Sequence, residues 1–281
     1  MMQKPTTAAG YAPEMVALVR SNCLYLATKL GDLMDEIVVV GGLVPSLLID
    51  QSNLPADTDP HAGTMDLDLG LAFALVNEER YAEVTERLAN AGFKPDLNAK
   101  GQPSRQRWRI NDPQVTIDFL IEPTLGDESK AGKLFSLTPD WAAMIAPGLH
   151  LAFQNFKTIT LDEATIKGEH AKRQIRVCGA GAFVVLKALA FRNRGENKDA
   201  YDLFYLLRNY SDSIEAIADE LRPLRNDPNT EQALQYLAED FQQIDSIGPK
   251  RVAEFLFGQS DETIQADALG YVRQLLRILE F

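Results

Sequence analysis

The apolar positions fall into two regimes. Up to about residue 180 they come in short runs, separated by turn residues. Residues 11–31 space Met15, Val16, Leu18 and Val19 as one helix. Ile37-Val38-Val39-Val40 is a β-branched run with the length and content of a buried strand. Two glycines follow, and Leu43 to Ile49 then reads as a helix. Residues 51–63 are rich in Pro, Asp, Asn and Gly and predict a loop. Asp66 to Leu75 predicts a strand, and Glu78 to Ala91 a helix closed by Gly92. Arg105 to Ile110 and Gln114 to Ile121 predict two strands joined by an Asn-Asp-Pro turn. Residues 123–148 show no period, and Leu149–Leu161 and Gln174–Cys178 predict further short strands.

From Gly181 the spacing becomes helical almost to the end. Six helices are expected: Ala182–Arg192, Lys198–Arg208, Ile214–Leu221, Glu231–Ile244, Pro249–Phe257 and Thr263–Leu279. Breaks fall at Gly195, Pro223, Pro228, Gly248 and Gly258. The pattern predicts a mixed α/β part over residues 1–180 and a helical domain over 181–281.

Composition narrows the setting. The 281 residues are 46% hydrophobic and 24% charged, as in ordinary globular chains. No apolar run has the length of a membrane span, and the start lacks the apolar core of a signal peptide. Cys23 and Cys178 fit a reducing cytoplasm better than a disulfide framework. His61, His150 and His170 do not have zinc-site spacing. The net charge is −12, whereas a protein that coats nucleic acid nonspecifically is usually basic overall. It is unevenly spread: residues 100–200 carry 15 Lys/Arg against 11 Asp/Glu, and the rest carry 13 against 29. A local basic face for a triphosphate or a nucleic-acid end is compatible with that balance, as is plain surface solvation.

Candidate chemistry centres on Thr64-Met65-Asp66-Leu67-Asp68-Leu69. Residues two apart on a strand share a face, so both carboxylates point one way. Two such groups repel unless a cation lies between them, and oxygen-only donors suit Mg²⁺. The competing reading is a solvated strand edge. Asp118 sits in Val115-Thr116-Ile117-Asp118-Phe119-Leu120-Ile121, where an unpaired charge is costly. Either a metal shared with Asp66 and Asp68 or a salt bridge to Arg107 or Arg109 would account for it, and a third carboxylate can also act as general base. Gly41-Gly42 closes a strand and opens a helix, which offers N–H groups to an anion or is an ordinary tight turn. Lys187 is the one charge in the segment Gly181–Ala190, so it either snorkels or meets an anion. Asp199 and Asp202 share a helix face, and Lys198 and Asp202 stand at i,i+4.

The order strand, Gly-Gly, helix, Asp-x-Asp, later Asp resembles the nucleotidyltransferase superfamily with the DNA polymerase β-like fold. Lys187 with Lys198-Asp199-Ala200-Tyr201-Asp202-Leu203 resembles its AbiEii/AbiGii toxin branch, associated with toxin–antitoxin and phage-defence systems. The resemblance covers about residues 35–208. It implies an α+β fold, a nucleotidyltransferase-like mixed sheet with flanking helices, followed by a C-terminal helical bundle. It implies Mg²⁺-dependent transfer of a nucleotide from an NTP to an acceptor hydroxyl, at an RNA 3′ end such as that of tRNA or on a protein. Asp66, Asp68 and Asp118 would carry the metal. Gly41 and Gly42 would cradle the triphosphate, Thr64 would supply a hydroxyl, and Lys187 would neutralise charge. Lys198 would add a nucleotide contact, and Asp199 or Asp202 would complete the site. A cognate antitoxin protein is the implied partner, with no membrane, in the cytoplasm. A small-molecule (antibiotic) nucleotidyltransferase and a catalytically inactive nucleotide- or partner-binding module are the alternatives. Two departures stand out: 23 residues separate Gly42 from Asp66, and Gly-Gly replaces the frequent Gly-Ser.

Overall fold

The computed structural model describes residues 4–12, 14–56, 58–72, 78–98, 100–110, 115–123, 130–137 and 139–281. The architecture is α+β. The chain divides into two compact units. The first comprises Met1–Lys4, Pro13–Val44 and Gly63–Cys178. The second comprises Pro5–Ala12, Pro45–Ala62 and Gly179–Phe281. The 45–62 segment, which the sequence pattern leaves within the α/β part, therefore belongs with the helices.

Among the described residues, the first unit is built on a nine-stranded mixed sheet. Its strands are β1 (Ile37–Val40), β2 (Asp66–Leu71), β3 (Lys94–Leu97), β4 (Pro103–Arg109), β5 (Thr116–Ile121), β6 (Leu134–Ser136), β7 (Ala142–Ile145), β8 (Phe156–Ala164) and β9 (His170–Cys178). The main path runs β3-β4-β5-β2-β1-β9-β8, with β7 beside β5 and β6 beside β7. β1 lies antiparallel to β2, and β2 lies parallel to β5.

The four side chains of β1 are all buried, each contributing about 1.5–3 kcal/mol before chain entropy is charged. Helix α1 (Glu14–Leu30) covers the sheet at β8 and β9 and packs on α3 (Glu78–Asn90). Trp141 is fully buried between Tyr81 and Phe119, at ring-centroid distances of 5.3 and 5.1 Å, both edge to face, a favoured aromatic geometry.

Several expectations shift here. Residues 123–148, read as irregular, contain β6 and β7. β3 carries Lys94, Pro95 and Asp96, and it has no apolar alternation to announce it. Leu149–Leu161, read as one strand, is the short helix α4 (His150–Gln154) followed by β8. The run from Asp66 gives a strand over Asp66–Leu71, and the expected continuation over Phe73, Ala74 and Leu75 lies outside the described residues. The Asn-Asp-Pro turn lies outside the described residues.

The second unit holds α5 (Ala180–Arg194), α6 (Asn197–Asn209), α7 (Glu215–Leu221), α8 (Pro228–Asp240), α9 (Ile247–Phe257) and α10 (Glu262–Ile278). Helix α5 ends at Gly195, whose φ of +67° suits a residue without Cβ. Asp227 and Asp261 cap α8 and α10 by accepting the N–H groups of Asn229 and Ile264. Tyr201 of α6 stacks on Phe255 of α9 at 4.6 Å. The short helix α2 (Val44–Leu48) follows a 3₁₀ turn at Gly41–Leu43. Among the described residues, no helix is long and apolar enough to cross a membrane.

Candidate active site

The acidic face forms where β1, β2, β4 and β5 run side by side. Pairing sets Asp66 beside Thr116 and Asp68 beside Asp118 on parallel strands, and Arg107 across from Asp118 on β4. Registered residues share a face. The alternation that buries Leu67 and Leu69 thus aims Asp66, Asp68, Thr116, Asp118 and Arg107 to the same side.

Their bonding is uneven. Asp118, 3% exposed, accepts two bonds from Arg107, from Nε at 2.8 Å and from a terminal nitrogen at 2.5 Å. This bidentate fork satisfies a buried carboxylate directly. Asp66, 7% exposed, accepts from the Thr116 hydroxyl at 2.6 Å and pairs with the Lys4 ammonium. Burial pushes its carboxyl up, but Lys4, Thr116 and Arg107 outweigh that and hold it below the usual range. Thr64 exchanges bonds of 3.3 Å with the backbone of Asp66, its hydroxyl giving to the carbonyl and taking from the N–H. It braces the start of β2.

Gly41 completes this face. β1 pairs Val40 with Asp68, so the turn after β1 runs against the Asp68 side chain. Gly41 has φ +72°, and a Cβ there would lie 2.8 Å from Asp68 Cγ. Both the conformation and the approach require glycine. Gly42 is buried within the 3₁₀ turn. The five-residue helix that follows is too short for a strong dipole.

The other sequence-flagged residues form their own cluster within the helical unit. Lys187 Nζ donates to Asp199 Oδ1 at 2.8 Å and Asp202 Oδ2 at 2.7 Å. Lys198 Nζ donates to Asp202 Oδ1 at 2.6 Å, and Arg194 forks onto Asp199 at 2.6 and 2.8 Å. Burial opposes the charge on Lys187, yet Asp199 and Asp202 raise its pKa on balance. Burial lowers that of Lys198. Burial also opposes ionisation of Asp199, but Lys187 and Arg194 bring its pKa down to about 2. The ammonium expected to face a triphosphate is committed to two aspartates.

His61 joins this cluster without any warning in the sequence, as a lone histidine in a turn-rich stretch. Its Nε2 is 2.9 Å from Asp202 Oδ1, and its Nδ1 is 3.1 Å from Ser46 Oγ. Burial pushes its pKa down to about 4, against the pull of Asp202. The neutral ring therefore gives its Nε2–H to the carboxylate and accepts the serine proton at Nδ1. Serine, histidine and aspartate stand in the order of an acyl-transfer triad, but Ser46 and His61 are 4% exposed and Asp202 0%. Through these bonds the relay ties the 45–62 segment to α6 within the helical unit.

Among the described residues, no group of three His, Cys, Asp or Glu side chains is arranged to hold a metal ion. The sheet-face carboxylates divide instead into an Asp66–Asp68 pair with oxygen donors and an Asp118 taken up by Arg107. That pair fits a hard divalent cation, and the Lys4 ammonium drawn to Asp66 marks the position as one that attracts positive charge.

No family model and no curated protein matches the chain. Among solved structures it is similar to an antigenic nucleotidyltransferase-like protein from Paracoccidioides brasiliensis, at 16% identity over 85% of this chain and 93% of that one, with a TM-score of 0.43. A likeness that slight carries no argument about chemistry.

Proposed function

We propose that the chain is a Mg²⁺-dependent nucleotidyltransferase. It moves a nucleotide from an NTP to an acceptor hydroxyl, at an RNA 3′ end or on a protein. The observation that carries this reading is the packing of Gly41 at positive φ against Asp68, which stands with Asp66 on one strand face. A glycine turn and a carboxylate pair are the two parts that a metal-bound triphosphate needs side by side.

Asp66 and Asp68 would hold the ion, with Thr116 and Thr64 fixing the orientation of Asp66. When bound, the ion supplies neutralisation of the triphosphate and of the pyrophosphate leaving group. Gly41 gives the backbone room to approach phosphate. Asp118 acts through Arg107, fixing the guanidinium in one plane beside the acidic pair. In the transfer, the acceptor oxygen bonds to the α-phosphorus and the α–β phosphoanhydride bond breaks. Pyrophosphate departs with that bond's electron pair, and the hydroxyl proton passes to water.

Following the resemblance of the Lys198–Leu203 segment, we read the protein as the cytoplasmic toxin of an AbiEii-type pair with an antitoxin protein as partner. The test is incubation with each NTP labelled at the α-phosphate, Mg²⁺, and total cell RNA plus protein. Label entering RNA or protein, and lost with Asp66→Ala, is the expected result. Label in a small molecule instead would move the assignment to an antibiotic-modifying type. One observation favours an inactive binding module: Asp118 has both oxygens on Arg107. No transfer to any acceptor, with nucleotide binding retained, would establish that reading.

A further inference from the structure

We propose that Lys4 is the phosphate-binding lysine of the acidic face. In the unloaded protein it rests on Asp66 in place of a divalent cation. This rests on the metal-site reading of Asp66 and Asp68.

Arg107 is forked onto Asp118. In the helical unit, Lys187 spans Asp199 and Asp202, and Lys198 is bonded to Asp202. Each of these charges is at least four-fifths buried with its carboxylate partner. Lys4 differs: its side chain is 55% exposed, while the Asp66 it reaches is 10% exposed. Its ammonium thus sits at the mouth of a buried carboxylate, on a stem open to solvent. The attraction extends to Asp68, which together with Asp66 raises the lysine's pKa against burial.

A lysine is suited to this double duty. Its charge is a point on a flexible four-carbon stem, free to pivot between acceptors, where a guanidinium fork is fixed in a plane. An ion pair so exposed is weak. A divalent cation on the same two carboxylates outcompetes one ammonium. The displaced ammonium then lies within a stem's length of any phosphate that the cation carries. Lys4 would therefore oppose the bare ion and favour the ion–phosphate complex.

These opposite signs give the test. Mn²⁺ binding to the full chain is titrated by electron paramagnetic resonance. Inorganic tripolyphosphate binding to the Mn²⁺-loaded chain is titrated by calorimetry. Lys4→Met should tighten Mn²⁺ about fivefold and weaken tripolyphosphate about fivefold, the scale of a partly exposed ion pair. Lys4→Arg should restore part of the phosphate affinity. If Asp66→Asn abolishes Mn²⁺ binding while Lys4→Met matches wild type in both titrations, the role of Lys4 is refuted and the metal site stands. If wild type binds no Mn²⁺, or Asp66→Asn and Asp68→Asn bind as well as wild type, the metal-site reading falls and this proposal with it.

Discussion

Replacing Lys187 with methionine tests whether the helical unit's charge cluster is a structural tie or a substrate contact. The ammonium is 2.8 Å from one aspartate and 2.7 Å from the other, with the three side chains 7%, 1% and 0% exposed. At such distances each attraction is about 6 kcal/mol for an effective dielectric of 20. Desolvation of the lysine cancels much of that, and removing one partner of a buried ionic group typically costs about 3–5 kcal/mol. The lower end applies, because Asp199 keeps its Arg194 fork and Asp202 keeps Lys198 and His61. A loss of about 3 kcal/mol lowers Tm by roughly 6–12 °C for a chain of this size. Thermal unfolding followed by far-UV circular dichroism at pH 7.5, without nucleotide, is the assay. The drop should persist at 0.5 M salt, since buried pairs are little screened. Adding Asp202→Asn to Lys187→Met should deepen the loss, because Lys198 would then lose its carboxylate partner. A Tm within 2 °C of wild type would refute the argument and return Lys187 to the list of charges awaiting an anion.

Two further predictions follow from the geometry. Gly41→Ala forces a Cβ into the Asp68 carboxylate at a backbone angle of +72°. It should cost about 1–2 kcal/mol for the left-handed conformation alone and weaken Mn²⁺ binding; unchanged urea unfolding and Mn²⁺ affinity would show that the turn can relax. His61 has its pKa lowered by burial from 6.5 to about 4, so the unfolded chain takes up a proton that the folded chain refuses. The neutral ring's contribution is complete above pH 6.5 and falls as pH drops toward 4, by about 3 kcal/mol in all. His61→Gln should flatten that slope between pH 4.5 and 6.5; parallel curves for the two proteins would sink the assignment.

The parts legible in the sequence are those where burial and periodicity coincide. β1 and β5 are apolar runs, and the Asp-x-Asp alternation on β2 places both carboxylates on one face with only local information. The pairing of Asp118 with Arg107 was one of two readings open from the sequence, because adjacent antiparallel strands bring such residues opposite each other. What stayed hidden depends on contacts distant in sequence. Nothing near Lys4 points to Asp66, and nothing near Thr116 marks its hydroxyl as a partner for a carboxylate fifty residues earlier. Ser46, His61 and Asp202 meet only once the chain is folded. β3 and α4 escaped for a different reason: one is polar with a proline, the other only five residues long.

The long interval between the glycine turn and the acidic pair has a physical account. The 23 intervening residues need not keep the two motifs in step, because strand pairing does so: Val40 lies opposite Asp68 in the β1–β2 ladder, whatever is looped out between them. Closing a loop twice as long costs only about 0.6 kcal/mol. Bonds within the helical unit offset that. Tyr201 accepts the Ala62 N–H at 2.9 Å, Tyr205 donates to Gln51 at 3.1 Å, and His61 holds Asp202. His61 also stacks on the Tyr201 ring at 5.3 Å and meets Tyr205 edge-on at 4.9 Å. A segment tied at that many points is a structural part of the helical unit and is poorly suited to act as a lid. Its length therefore leaves the adjacency of Gly41 and Asp68 intact. What the insertion adds is a set of buried polar ties, which makes the stability of the helical unit sensitive to His61 and Asp202.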